Sequence, residues 1–136
     1  MSGTQLLLPA SGPGETWSKY PEGQNRLFDT IRRAEAEGVV FITSDKHYAE
    51  VARRDDIMGY DAVELQLASI NQIEPAKHNP DRVASTIDSR HSYTLLDLQT
   101  VPSEQNPPHL QFRVFNALSG RVELEYRVNL RELTFD

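Results

Sequence analysis

The sequence predicts a mixed α/β (α+β) fold, and three observations carry that reading. One amphipathic helical segment runs straight into a β-branched strand, later segments alternate with period two, and the last two of these are joined as a hairpin. With 136 residues, 38% hydrophobic and 25% charged, the chain has the length and composition of one globular unit. The prolines gather mostly at 9–21, 75–80 and 102–108, where they separate periodic segments and so mark loops.

Gln5 to Leu8 is a short apolar run closed by Pro9, Ser11, Gly12, Pro13 and Gly14, which predicts a brief strand and an irregular loop. Pro21 sits where a first helical turn tolerates proline, and Leu27, Phe28, Ile31 and Ala34 recur at helical spacing. Gly38 supplies a stop, so the helix is expected over 21–37. Val39 to Ile42 follows without polar alternation, as in a strand buried on both faces. Tyr60 to Leu67 sets Val63, Leu65 and Leu67 against Glu64 and Gln66, the pattern of a half-exposed strand. Tyr93 to Gln99 is a further strand. Leu110, Phe112 and Val114 alternate with Gln111 and Arg113. Beyond Asn116 to Gly120 the alternation resumes as Val122, Leu124, Tyr126 and Val128, an antiparallel hairpin with one buried and one charged face.

Composition excludes several chemistries. Without cysteine there is no disulfide, thiolate metal site or cysteine nucleophile, so chemistry falls to carboxylates, imidazoles and hydroxyls. A net charge of -6 argues against a nucleic-acid partner or an anionic membrane surface. No apolar run reaches the roughly 18 residues of a membrane span, and Met1 to Ala10 has neither the basic leader nor the apolar length of a signal peptide. Phosphate loops of the G-x-x-x-x-G-K type and G-x-S-x-G elbows are absent from the sequence.

The loop after Ile42 holds the one pairing with chemical promise. Asp45 and His47 stand two residues apart where a parallel strand delivers its carboxyl end, a place where ligands gather in open α/β sheets. Such a pair can ligate a metal or exchange a proton, although by spacing alone a solvated loop with a capping aspartate is the simpler account. His78, His91 and His109 read as surface loop residues. Lys46, Arg32, Arg33, Arg53 and Arg54 offer positive charge to an anion. The helix sequence nevertheless puts Arg32 and Arg33 on its exposed face, and Asp55 and Asp56 balance Arg53 and Arg54.

The stretch Gly38-Val-Val-Phe-Ile-Thr-Ser-Asp-Lys-His-Tyr-Ala-Glu50 resembles the "GVVFISGDxHYxE" segment of alkaline phosphatase D-like metallophosphatases, within the calcineurin-like metallophosphoesterase superfamily. Ser2-Gly-Thr-Gln-Leu-Leu7, Glu15, Trp17, Tyr20 and Pro21 are similar to that family's "SGxQ...ExWxxFP" entry to its last long helix. Tyr60-Asp-Ala-Val-Glu-Leu65 resembles its "YPLYEL", and Ser92-Tyr-Thr-Leu-Leu-Asp97 its "NFGLIEID". The resemblance keeps its order across almost the whole chain.

It implies a four-layer αββα sandwich with a dinuclear centre of iron, calcium, zinc or manganese that hydrolyses phosphate mono- or diesters. Asp45 and His47 fall on metal-ligand positions, with His47 alternatively a proton donor, and Tyr48 and Glu50 on positions that would orient His47. The family's earlier ligand motifs have no counterpart before Ser2, so the resemblance covers the C-terminal portion of the domain. Isolated, that portion is expected to be weakly active or inactive, with the N-terminal half of the domain as a partner. The other readings are a non-catalytic binding module of the same fold and a subunit completed in trans. Ser44, Ile70 and Thr94 replace family glycines and Ser92 an asparagine, which bears on the local backbone geometry. Family members are often exported.

Overall fold

The computed structural model describes residues 1–11, 14–86, 91–103 and 105–135, in which one α-helix and seven strands form a mixed α/β architecture of two sheets. Gly12 and Pro13 of the expected first loop lie outside these residues. Helix α1, Pro21–Arg33, buries Gln24, Phe28 and Ile31 and exposes Arg32 and Arg33, as its sequence requires. Pro21 starts it, and Arg32 and Arg33 complement the partial negative charge of its last turn. Phe28 meets Phe41 of the first sheet edge-on, with ring centroids 6.0 Å apart, so α1 covers the face of the sheet to which Phe41 belongs.

The helix ends at Arg33, before the expected 37. The N–H of Ala36 returns to the Ile31 carbonyl at 3.1 Å and that of Glu35 to the Arg32 carbonyl at 3.1 Å. These are the two bonds of a Schellman stop, and Glu35 occupies its left-handed position with φ 48°. Gly38, with φ 73°, only redirects the chain into the sheet.

Strands β1 (Val40–Thr43), β2 (Glu50–Arg54), β3 (Ala62–Gln66) and β4 (Arg82–Ser85) form the first sheet in the order β1-β3-β2-β4. β1 runs parallel to β3, and the remaining pairs are antiparallel. The expectation of a first strand buried on both faces is corrected here. β1 is an edge strand, with Val40, Phe41 and Ile42 only half-buried. Its outer edge carries one isolated parallel bridge, Ser2 to Thr43, with the Ser2 N–H donating to the Ile42 carbonyl at 2.9 Å. The half-exposed reading of β3 is corrected in the opposite sense, because all five of its residues are buried. β2 and β4 were not foreseen; both are short and charged, with no clear alternation.

Gln5 to Leu8 is buried but is not a strand. Its backbone is satisfied by side chains instead of a neighbouring ladder. The N–H groups of Leu6 and Leu7 donate to the Glu64 carboxylate at 2.6 and 2.7 Å, while Thr16 and Gln24 donate to the Leu8 and Leu6 carbonyls at 2.8 and 2.6 Å. This irregular segment packs beside α1 on one face of the sheet.

The second sheet holds β5 (Ser92–Gln99), β6 (His109–Asn116) and β7 (Val122–Asn129) as an antiparallel meander. The expected hairpin is β6–β7. Phe112, Val114, Leu124 and Val128 are buried on one face and belong to the same apolar cluster as Val51, Val63 and Leu65 of the first sheet. The layers are therefore helix, first sheet and second sheet around one core. β5 is an edge strand whose Tyr93, Leu95, Leu96 and Leu98 are exposed. Arg53 lies between the sheets, where it pairs with Asp61 and with Glu132 beyond β7, both at 2.6 Å. Arg54 pairs with Asp81. Asp55 and Asp56 are not the partners, which corrects the sequence reading: the two arginines are half-buried structural ion pairs. No helix among the described residues is long and apolar enough to cross a membrane.

Candidate functional site

β1 and β3 run parallel and end side by side at Thr43 and Gln66. The loop leaving Thr43 carries the Asp45 and His47 pair over these carboxyl ends. Gln66 holds the loop by donating from Nε2 to the carbonyls of Lys46 and Leu67, at 3.3 and 2.9 Å. The Glu74 N–H donates to the His47 carbonyl at 3.2 Å. Asp45 adopts φ 79°, a left-handed conformation that aspartate tolerates better than most residues. The strain falls on Asp45 itself. Ser44, Ile70 and Thr94, which stand where the family that the sequence resembles has glycine, are not among the residues with positive φ.

The Asp45 carboxylate is largely in solvent, with its Oδ2 3.3 Å from the Lys46 Nζ. Lys46 is buried, while His47 is half-buried and its ring makes no hydrogen bond among the described residues. Both Asp45 and His47 are thus available to a ligand. Two donors make half of a tetrahedral set, and no three His, Cys, Asp or Glu side chains among the described residues come together as a metal group.

Beneath this loop lies a buried polar layer. Sheet register puts Glu50 opposite Gln66, and Gln66 opposite Thr43, while Glu64 is opposite both Ala52 and Phe41. Thr43, Glu50, Glu64 and Gln66 therefore share the face covered by Gln5 to Leu8. Glu50 accepts from Gln5 Nε2 at 3.1 Å, Asn79 Nδ2 at 2.5 Å and Arg82 Nε. Tyr48 donates its hydroxyl proton to Gln5 Oε1 at 3.2 Å. Burial, reinforced by the nearby Glu50, pushes the Tyr48 hydroxyl up to about 12. Glu64 accepts from Leu6, Leu7 and the Thr43 hydroxyl. Burial raises its pKa above the ordinary value, against the pull of those donors.

The hydrogen bonds of Tyr48 and Glu50 run into this layer, and none reaches the His47 ring. The sequence reading missed Gln5, Asn79 and Arg82, which come from loops and a short strand and carry no periodic signal. Of the remaining histidines, His78 and His91 are exposed as expected. His109 is not a surface residue: it is buried at the start of β6, its Nδ1 2.8 Å from the Pro107 carbonyl and 2.9 Å from Arg127 Nη2. Comparison of the chain with protein-family models, with curated proteins and with solved structures found no match in any of the three.

Proposed function

We propose that the chain is the C-terminal portion of an alkaline phosphatase D-like metallophosphatase, with Asp45 and His47 as its contribution to a metal-dependent phosphate mono- and diester hydrolase. The observation that supports this most is the position of the pair. An accessible carboxylate and an accessible imidazole stand over the carboxyl ends of two parallel strands, where such folds collect their ligands. When bound, metal ions of this class polarise phosphoryl oxygens and supply a hydroxide nucleophile. Two ligands do not close a coordination shell. The reading therefore needs further ligands from the N-terminal half of the domain, joined or in trans, and a four-layer sandwich completed by it.

The buried layer has a supporting role in this reading. Gln66 fixes the loop through Lys46 and Leu67, which limits how far Asp45 and His47 can drift from a productive geometry. The involvement of Tyr48 and Glu50 in that layer favours a second reading, a non-catalytic module of the same fold that binds a partner or ligand.

Hydrolysis of an aryl phosphate and a bis-aryl phosphate, with divalent and trivalent metals supplied, separates the two. Alone the chain is expected to be weakly active or inactive. With the N-terminal half of the domain joined to it, metal-dependent turnover should appear and should be abolished by Asp45→Asn. A joined chain that folds, receives metal and stays inactive would sink the hydrolase reading in favour of the binding module.

A further inference from the structure

Thr43, Glu64 and Gln66 meet in the buried layer beneath the loop, and their protons allow two arrangements. The Thr43 hydroxyl lies 2.6 Å from Glu64 Oε1 and 3.1 Å from Gln66 Oε1. A hydroxyl has one proton to give, and both neighbours are acceptors. The Gln66 amide cannot turn to supply another, because its Nε2 is committed to the carbonyls of Lys46 and Leu67. All three side chains are buried, so the missing donor has to come from within the layer. With Glu64 ionised, the shorter contact takes the proton, at the roughly 2.5–2.7 Å of a charge-assisted O–H···O⁻ bond, and Gln66 Oε1 is left facing an oxygen lone pair. With Glu64 protonated, its carboxyl donates to Thr43 and the Thr43 hydroxyl swings to Gln66. Leu6 and Leu7 keep their acceptors in both forms.

The charged and titratable groups around Glu64 do not hold it ionised. Glu50, the other buried carboxylate of the layer, is held by Asn79 and Arg82, and its charge opposes a second one on Glu64. Arg54 reaches the Leu7 carbonyl at 3.2 Å but pairs with Asp81, and the Tyr48 hydroxyl is turned to Gln5. We propose that Glu64 is a proton-operated latch on the loop that carries Asp45 and His47. On taking up a proton from solvent, Glu64 reverses the Thr43 hydroxyl, whose own proton only changes acceptor. Gln66, now hydrogen-bonded at Oε1, is polarised along the chain and donates more strongly from Nε2. Its contact to the Lys46 carbonyl, long at 3.3 Å, has room to shorten. The loop is therefore held more firmly in the acid form. The latch acts on the loop backbone whatever the loop binds, so it does not rest on the hydrolase reading.

The test is an NMR titration of the full chain, free of metal, from about pH 8 to about pH 4. The Glu64 carboxyl carbon is expected to titrate with a midpoint above the ordinary 4.5. The Gln66 side-chain amide and the Leu67 backbone amide should shift with that same midpoint. Imidazoles change charge in this range, so the His47 ring protons are followed separately. Thr43→Val removes a donor that favours the ionised form, so the Glu64 midpoint should rise further while the Gln66 amide stops following it. Thr43→Ser keeps a hydroxyl and should retain both titrations, which supplies a second measurement if the valine variant fails to fold. A Glu64 midpoint at or below 4.5, a Gln66 amide that ignores Glu64 in the native chain, or one that follows it equally well in Thr43→Val would overturn the latch. Coupled titration in a chain that never gains phosphatase activity would count against the hydrolase reading alone.

Discussion

Glu64 shows how much a single side chain can organise. Its carboxylate accepts two backbone N–H groups and a hydroxyl in a fully buried position, with no cation among those partners. Glutamine has the same shape but only one acceptor oxygen, so in Glu64→Gln an amide N–H₂ must face a backbone N–H. That buried mismatch should cost about 1–3 kcal/mol, read as a fall in the urea midpoint at unchanged slope. The loss is large against the 5–15 kcal/mol typical of a whole domain. The position could not be read from the sequence. In an alternating strand a glutamate suggests solvent, and the donors that make it a buried residue come from Leu6 and Leu7, 58 and 57 positions away.

Among the elements, the stop of α1 is the least economical. Glu35 holds φ 48° where glycine would be at ease, and a left-handed L-residue costs roughly 1–2 kcal/mol. Glycine would return part of that gain through the greater freedom of the unfolded chain, about 0.4–1 kcal/mol. Glu35→Gly should therefore stabilise the protein by about 0.5–1 kcal/mol, visible as a raised thermal midpoint with the helical circular-dichroism signal retained. The sequence pointed to Gly38 as the stop because composition identifies the residue best suited to a turn, not the residue that makes it. The start of α1, β5 and the β6–β7 hairpin were legible, since each rests on a local period. β2 and β4 were not, being short segments whose arginines are paired across the fold. Strand order was equally hidden, because the edge position of β1 depends on which strands lie beside it. Asp45 and His47 could be picked out by position after a strand, whereas Gln5, Asn79 and Arg82 reach the layer beneath them from distant segments and carry no local signal.

At the scale of the whole molecule, Arg53 ties the first sheet to the end of the chain. Burial acts against its charge, but hydrogen bonds to Glu132 and Asp61 hold its pKa above the ordinary range. Burial would likewise raise the two carboxylates. The Asp56 N–H and Arg53 overcome it for Asp61, and Arg53 and Asn129 for Glu132, so both lie below their ordinary values of 3.8 and 4.5. Their contribution is fully present above those values and is lost as pH falls through the lowered ones. Urea midpoints measured from about pH 7 to about pH 3 should decline steeply at the acid end, and Arg53→Met should flatten that limb. A limb equally steep in the variant would show that other carboxylates set the acid sensitivity.

The clamp on Gln5 to Leu8 also bears on how the chain acquires its structure during synthesis. These residues are synthesised well before β3, which supplies the carboxylate that receives their backbone. The Glu50, Asn79 and Arg82 side chains that complete the layer around Gln5 come later still. Until then the apolar Leu6, Leu7 and Leu8 have no native place to dock, and the longest-range contacts must close last. Between the synthesis of Leu6 to Leu8 and that of Arg82 the nascent chain therefore carries an exposed apolar segment, a window in which a chaperone that shields such segments has its greatest effect on yield.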